Sequence, residues 1–241
     1  MISYRTTPRP HLHPLLAPGT DAPMTRVAPD DHPWQHGVWT GLNDVDGLDF
    51  WCCGHDVYPA ETRGTITNVS QDGGDVVNAW HGPDGRLVLT ETQRWRLGPE
   101  DVGTYAVDVD WTVTAAYDLT IGASDYGGLA VRLVGGRDTR RHLMPGGVTG
   151  DDCFGVAAPW ASVAQPVGGG YAGVAVFDHP ANPRYPNRWR VDWDGMINPA
   201  PALSGALDLV AGEPFACSYR LHCFLGEGDA AAIQEAYDAW L

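Results

Sequence analysis

Over residues 105–113 the large apolar side chains Tyr105, Val107, Val109, Trp111 and Val113 occupy every second position, and Asp108, Asp110, Thr112 and Thr114 fall between them. A period of two predicts a half-buried antiparallel strand with one wet face. Arg86–Leu97 reads as a second strand, entered through the turn Gly82-Pro83-Asp84-Gly85. Gly128–Val134 and Gly173–Phe177 are short apolar runs suited to interior strands, and Phe215–Phe224 is strand-like with a less regular alternation. Only the end of the chain has a helical period. After Asp229, an N-cap residue type, Ile233, Ala236, Tyr237, Trp240 and Leu241 follow i, i+3, i+4, i+7, i+8.

The expected fold is therefore mainly β: an antiparallel β-sandwich with a short C-terminal helix over 229–241, as one domain spanning 1–241. Residues 1–60, crowded with Pro, His, Trp and Gly, are expected to be irregular and pocket-forming. Thirty glycines and 19 prolines spread along the chain suit many short strands and tight turns.

Fifteen basic against 30 acidic residues give a formal charge of −15, which repels polyanions and argues against nucleic acid and anionic membranes as partners. No segment has the roughly 18–20 consecutive apolar residues of a membrane span. Five cysteines without a C-x-x-C pair, and no leader-like N-terminus, lead to the expectation of reduced thiols and a cytoplasmic location. Nucleotide, serine-hydrolase and zincin signatures (G-x-G-x-x-G, a P-loop, G-x-S-x-G, H-E-x-x-H) are all missing.

Candidate chemistry concentrates in two places. The first is Asp30-Asp31-His32-Pro33-Trp34-Gln35-His36-Gly37, preceded by His11 and His13, so four of nine histidines fall in the first 36 residues. Histidine titrates near neutrality and serves as acid, base or metal ligand. His32 and His36 would share a helical face, but in a strand they would stand roughly 13 Å apart, too far for one metal. The second is Asp178-His179-Pro180-Ala181-Asn182-Pro183-Arg184, where prolines stiffen a loop that carries an imidazole, an amide and a guanidinium fork. The expectation is one polar pocket built from both clusters. Its acid/base residues would be His32, His36 and His179, and His11, His13, Trp34, Asp44, Arg132, Asn182 and Arg184 would bind the ligand. Asp44, Asp46 and Asp49 do not match a calcium loop. Arg132 and Glu91 each lie in interior-type strands and require partners.

At these clusters the chain resembles the bacterial PmoA-like or DUF6807 family, through Arg9-Pro10-His11-Leu12-His13-Pro14-Leu15, Asp31–Trp39, Asp44–Trp51, Gly128–Arg132 and Asp178–Arg184. Trp34 stands where the family usually has a second His, and Asn43 where it often has His or Gly. The methane oxygenase in the family's name is a membrane enzyme, which the missing span excludes here. Members often neighbour sugar-oxidoreductase-like genes, so the resemblance implies carbohydrate chemistry. The expected activity is hydrolysis of, or elimination from, a glycoside or keto-sugar, with no cofactor. The alternatives are a divalent-metal enzyme using His32, His36 and a third ligand such as His11 or His179, a non-catalytic sugar-binding module, and a natural-product tailoring enzyme. A homodimer is the default assembly.

Overall fold

The computed structural model describes residues 2–241. Six strands form one antiparallel sheet. They are β1 (Ser3–Arg5), β2 (His11–His13), β3 (Val38–Leu42), β9 (Gly127–Arg132), β14 (Met196–Pro199) and β13 (Trp189–Val191), in that spatial order. Eight form the other, in the order β10 (Arg141–Leu143), β11 (Trp160–Val167), β12 (Gly170–Asp178), β16 (Pro214–Leu225), β7 (Thr104–Ala115), β6 (Leu87–Asp101), β5 (Asp75–His81) and β4 (Thr65–Asp72). A two-stranded ribbon pairs β8 (Leu119–Ile121) with β15 (Leu207–Leu209). The expected antiparallel β-sandwich is the fold observed.

Alternation sorts the side chains as the period of two requires. Val107, Val109, Trp111 and Val113 of β7 are buried between the sheets, while Asp108 and Asp110 face outward and pair with Arg220 and Arg96. From the six-stranded sheet, Leu12, Val38, Leu42, Leu129, Val131 and Ile197 enter the same core. The outer face of the eight-stranded sheet is capped by α1 (Ala230–Asp238), whose Ile233 and Tyr237 bury against Trp160 and Phe177. The Asp229 carboxylate caps this helix, accepting from the Ala231 and Ala232 amides at 2.9 Å each. All five cysteines are free. Among the described residues no helix is long and apolar enough to cross a membrane.

The first 60 residues are less irregular than their composition suggests, because they supply β1, β2 and β3. All five residues of Val38–Leu42 are buried, so this strand lies under protein on both faces and shows no alternation to read.

The two sheets are tied by a polar contact as well as by apolar packing. The Glu91 carboxylate on β6 is fully buried. It accepts from Asn78 Nδ2 at 2.8 Å, Trp80 Nε1 at 3.1 Å, Gln93 Nε2 at 2.9 Å and Trp111 Nε1 at 2.6 Å. A fifth donor, the Thr40 hydroxyl, reaches it from β3 across the sandwich, and that hydroxyl accepts in turn from Gln93 Nε2 at 2.9 Å. A buried charge survives only when its lone pairs are filled, and here five donors converge on two oxygens.

Replacing the carboxylate should therefore orphan several donors at once. Glu91→Leu is expected to lower the unfolding free energy by about 3–5 kcal/mol, and Thr40→Val by about 1–2 kcal/mol, in urea titrations. Equal, sub-kilocalorie effects would show that the sheets do not rely on this contact.

Candidate functional site

On the outer face of the six-stranded sheet lie His11, His32, Trp34, His36 and Arg132 of the expected residues. Opposite in phase to the core residues, His11, Trp39, Ala130, Arg132 and Met196 point away from the sandwich. Two segments cover them. One is the loop Arg26–Gly37, a hairpin closed by Ala28 N–H to Gln35 O at 2.8 Å and Gly37 N–H to Arg26 O at 2.8 Å. Gly37 makes this loop possible: its φ is +53°, and a Cβ would lie 2.5 Å from the Leu12 carbonyl oxygen. The other is the stretch around Phe50–Tyr58. Arg9, almost wholly buried, anchors it by donating from Nη1 to Trp51 O at 2.5 Å and from Nη2 to Thr40 O at 2.6 Å.

Between the two segments lies a cleft of about 140 Å³ lined by His32, Trp34, Gln35, Trp51, Cys52, Val57, Tyr58, Tyr126, Arg190 and Met196. Its walls are aromatic. Trp51 packs on Trp39 at 5.3 Å between ring centroids and on Tyr126 at 5.1 Å. Tyr126 and Tyr58 share a hydrogen bond between hydroxyls at 2.9 Å. The Arg190 guanidinium stands 5.4 Å from the Tyr126 ring centroid and is held by Asp125 at 2.7 Å and Asp192 at 2.9 Å. A larger cleft of about 510 Å³ opens at the sandwich edge near Ile2, Tyr4, Trp95 and Leu97, but its lining contains no histidine or carboxylate.

His32 sits at the mouth of the aromatic cleft, its ring 5.1 Å from that of Trp34. Its Nδ1 is 3.1 Å from Asp31 Oδ2, and its Nε2 is 3.8 Å from Asp194 Oδ2. Asp31 also receives Arg132 Nη2 at 2.9 Å, while Arg132 Nη1 donates to Gln35 Oε1 at 2.7 Å. Burial alone would raise the Asp31 pKa, but the bonds from His32 and Arg132 outweigh it and bring the carboxyl down to about 2. The internal carboxylate that Arg132 requires is thus Asp31. The guanidinium spends two donors holding the loop rather than reaching into the cleft.

His36 and His11 lie together, ring centroids 5.2 Å apart and both buried. Burial pushes the His36 pKa down to about 4 against the opposing bond to Trp34 O, with Arg9 lowering it further, and burial likewise lowers that of His11. His13 bonds Thr25 Oγ1 at 2.9 Å through Nδ1. Asp44 is exposed and caps its own turn, accepting from Gly47 N–H at 3.1 Å.

The Asp178–Arg184 loop does not join this site, which corrects the expectation of one shared pocket. Strand alternation puts His179 on the side of Phe177, the outer face of the other sheet, where its ring meets Trp240 edge-on at 5.2 Å. The loop's polar groups are used internally. Asn182 donates to Asp178 at 2.7 Å and exchanges bonds with the Ser218 backbone at 2.7 and 2.8 Å. Arg184 donates to the Gly205 and Ala206 carbonyls. His179 Nδ1 accepts from the Ala181 amide at 3.1 Å.

The geometry also adds residues that sequence reasoning did not select: Arg9, Gln35, Trp51, Tyr58, Tyr126 and Arg190. Arg9, Gln35 and Trp51 lie inside the stretches that carry the family resemblance, so that signal was present. Tyr58, Tyr126 and Arg190 lie outside those stretches and had no local signature.

The Asp31–Arg132 pair gives a pH test. The folded pKa of Asp31 is depressed below its ordinary value, so its contribution to stability is present above about pH 4 and is lost as pH falls towards about 2. Carboxyl ¹³C titration should find Asp31 half-protonated near pH 2, and Arg132→Gln should move it back towards the ordinary aspartate range. An unchanged titration in that variant would refute the role given to Arg132.

No curated protein and no solved structure matches the chain. A family model does match, described as "Family of unknown function (DUF6807)", and it covers residues 2–238. With nearly the whole chain matched, the protein belongs to the DUF6807 family.

Proposed function

We propose that the aromatic cleft binds a single carbohydrate-like ring and that His32 acts on it as an acid/base, in hydrolysis or elimination. The observation that supports this most is the lining itself. Trp34, Trp51, Tyr58 and Tyr126 offer flat apolar surfaces for the C–H faces of a sugar, beside His32, Gln35 and Arg190 for its oxygens. A cleft of about 140 Å³ falls well below the roughly 300–1,000 Å³ typical of drug-sized ligands, which favours one ring over a chain.

His32 pairs through Nδ1 with a carboxylate that Arg132 fixes in place, the arrangement that orients an imidazole and leaves Nε2 to move a proton. On a glycoside carrying a ketone two carbons from the anomeric centre, the base takes the proton α to the carbonyl. The bond between the anomeric carbon and the departing alcohol then breaks, and that oxygen is protonated as it leaves. No electrons are gained or lost, so no redox cofactor is consumed. In this reading His36 and His11 stand outside the cleft lining, and Asn182, Arg184 and His179 take no part in it.

Purified protein given a panel of glycosides and their 3-keto derivatives should turn over at least one, followed by mass spectrometry. His32→Ala should reduce the rate by at least about 100-fold, and Trp34→Ala should mainly raise KM. Undiminished turnover in His32→Ala would remove His32 from the chemistry. Saturable sugar binding without turnover would instead favour a binding module.

A further inference from the structure

Outside the cleft lining, two buried imidazoles present unused lone pairs. His11 Nδ1 lies 2.8 Å from Arg9 O, and His36 Nδ1 lies 2.9 Å from Trp34 O. A carbonyl oxygen can only accept, so each Nδ1 carries the hydrogen and each Nε2 carries a lone pair. Both Nε2 atoms are buried and have no hydrogen-bond partner. Leaving a buried polar atom unpaired is costly, and here two such atoms occur on adjacent rings.

The geometry points to a divalent transition-metal ion of the zinc class held between His11 and His36 through Nε2. Three features agree. First, a backbone carbonyl on Nδ1 is the usual second contact of a metal-binding histidine, because it fixes the tautomer and aims Nε2. Second, two imidazoles bound to one tetrahedral ion at about 2.0–2.1 Å place their ring centroids roughly 5 Å apart. The observed separation is 5.2 Å, with the rings inclined at 45°. Third, two imidazole nitrogen donors suit zinc, cobalt, nickel or copper, whereas calcium and magnesium require oxygen. Two protein ligands leave the ion's remaining positions to water. The buried Arg9 charge nearby opposes a cation, so the two lone pairs must outweigh it.

A rival cluster exists. Asp31, His32 and Asp194 bring ligand atoms within 4.8 Å of one another. Asp31 is already engaged by Arg132 and His32, and both carboxylates are substantially exposed. The metal inference does not rest on the sugar reading, and either can fail alone.

Tag-free protein, stripped with a chelator, should be titrated with Zn²⁺ by calorimetry. One equivalent is expected to bind with Kd of about 10 µM or tighter. His11→Gln and His36→Gln should each weaken binding by at least about 30-fold, roughly 2 kcal/mol, while Asp194→Asn leaves it unchanged. On the wild type, ¹⁵N spectra of the histidine rings should show two Nε2 resonances moving with added Zn²⁺ while their Nδ1–H signals persist; this readout stands even if a variant fails to fold. No stoichiometric binding, unmoved Nε2 resonances, or loss of binding in Asp194→Asn with retention in His36→Gln would each overturn the assignment.

Discussion

The structure depends on a charge placed where charges are least welcome. Glu91 sits between the two sheets with no exposure to water, and five donors from β3, β5, β6 and β7 converge on it. Hydrophobic packing is tolerant of small slides, but a carboxylate ringed by donors is not: its geometry is satisfied at one register of β3 on β6. Of these donors Thr40 alone comes from the six-stranded sheet, so it carries the constraint across the sandwich. On the same strand, one residue before Thr40 and facing the opposite way, Trp39 begins the aromatic cluster of the cleft. The interior contact and the outer site are therefore set by alternate residues of a single short strand.

The cations of this acidic chain show the same economy. Arg9 spends its donors on backbone carbonyls and thereby fixes the segment that carries Trp51. Arg132 is spent on Asp31 and Gln35, and Arg184 on the carbonyls of a neighbouring loop. Guanidinium groups that would be read as ligand anchors from the sequence act mainly as scaffolding. That leaves Arg190 as the arginine lining the cleft, itself balanced by two aspartates. A cleft so built presents little net positive charge.

The sequence by itself determined the β-sandwich, the two-faced β7 and the C-terminal helix with its Asp229 cap. Each of these is written in local chemistry: a period of two, a period of 3.6, a capping residue. It missed β1 and β2, because at three residues each they are too short to show a period of two.

What only the tertiary structure decided is which polar groups face one another. Asp178–Arg184 and Asp31–Gly37 look like halves of one pocket when read as residue types, yet His179 packs on the outer face of the eight-stranded sheet while Asn182 and Arg184 bond to backbone and loop groups of their own surroundings, and Asp31–Gly37 covers the outer face of the six-stranded sheet. Partners such as Arg132 and Asp31, 101 residues apart, or Tyr126 and Tyr58, 68 apart, meet through sheet order. Sheet order comes from long-range pairing and burial, and no local pattern of side chains encodes it.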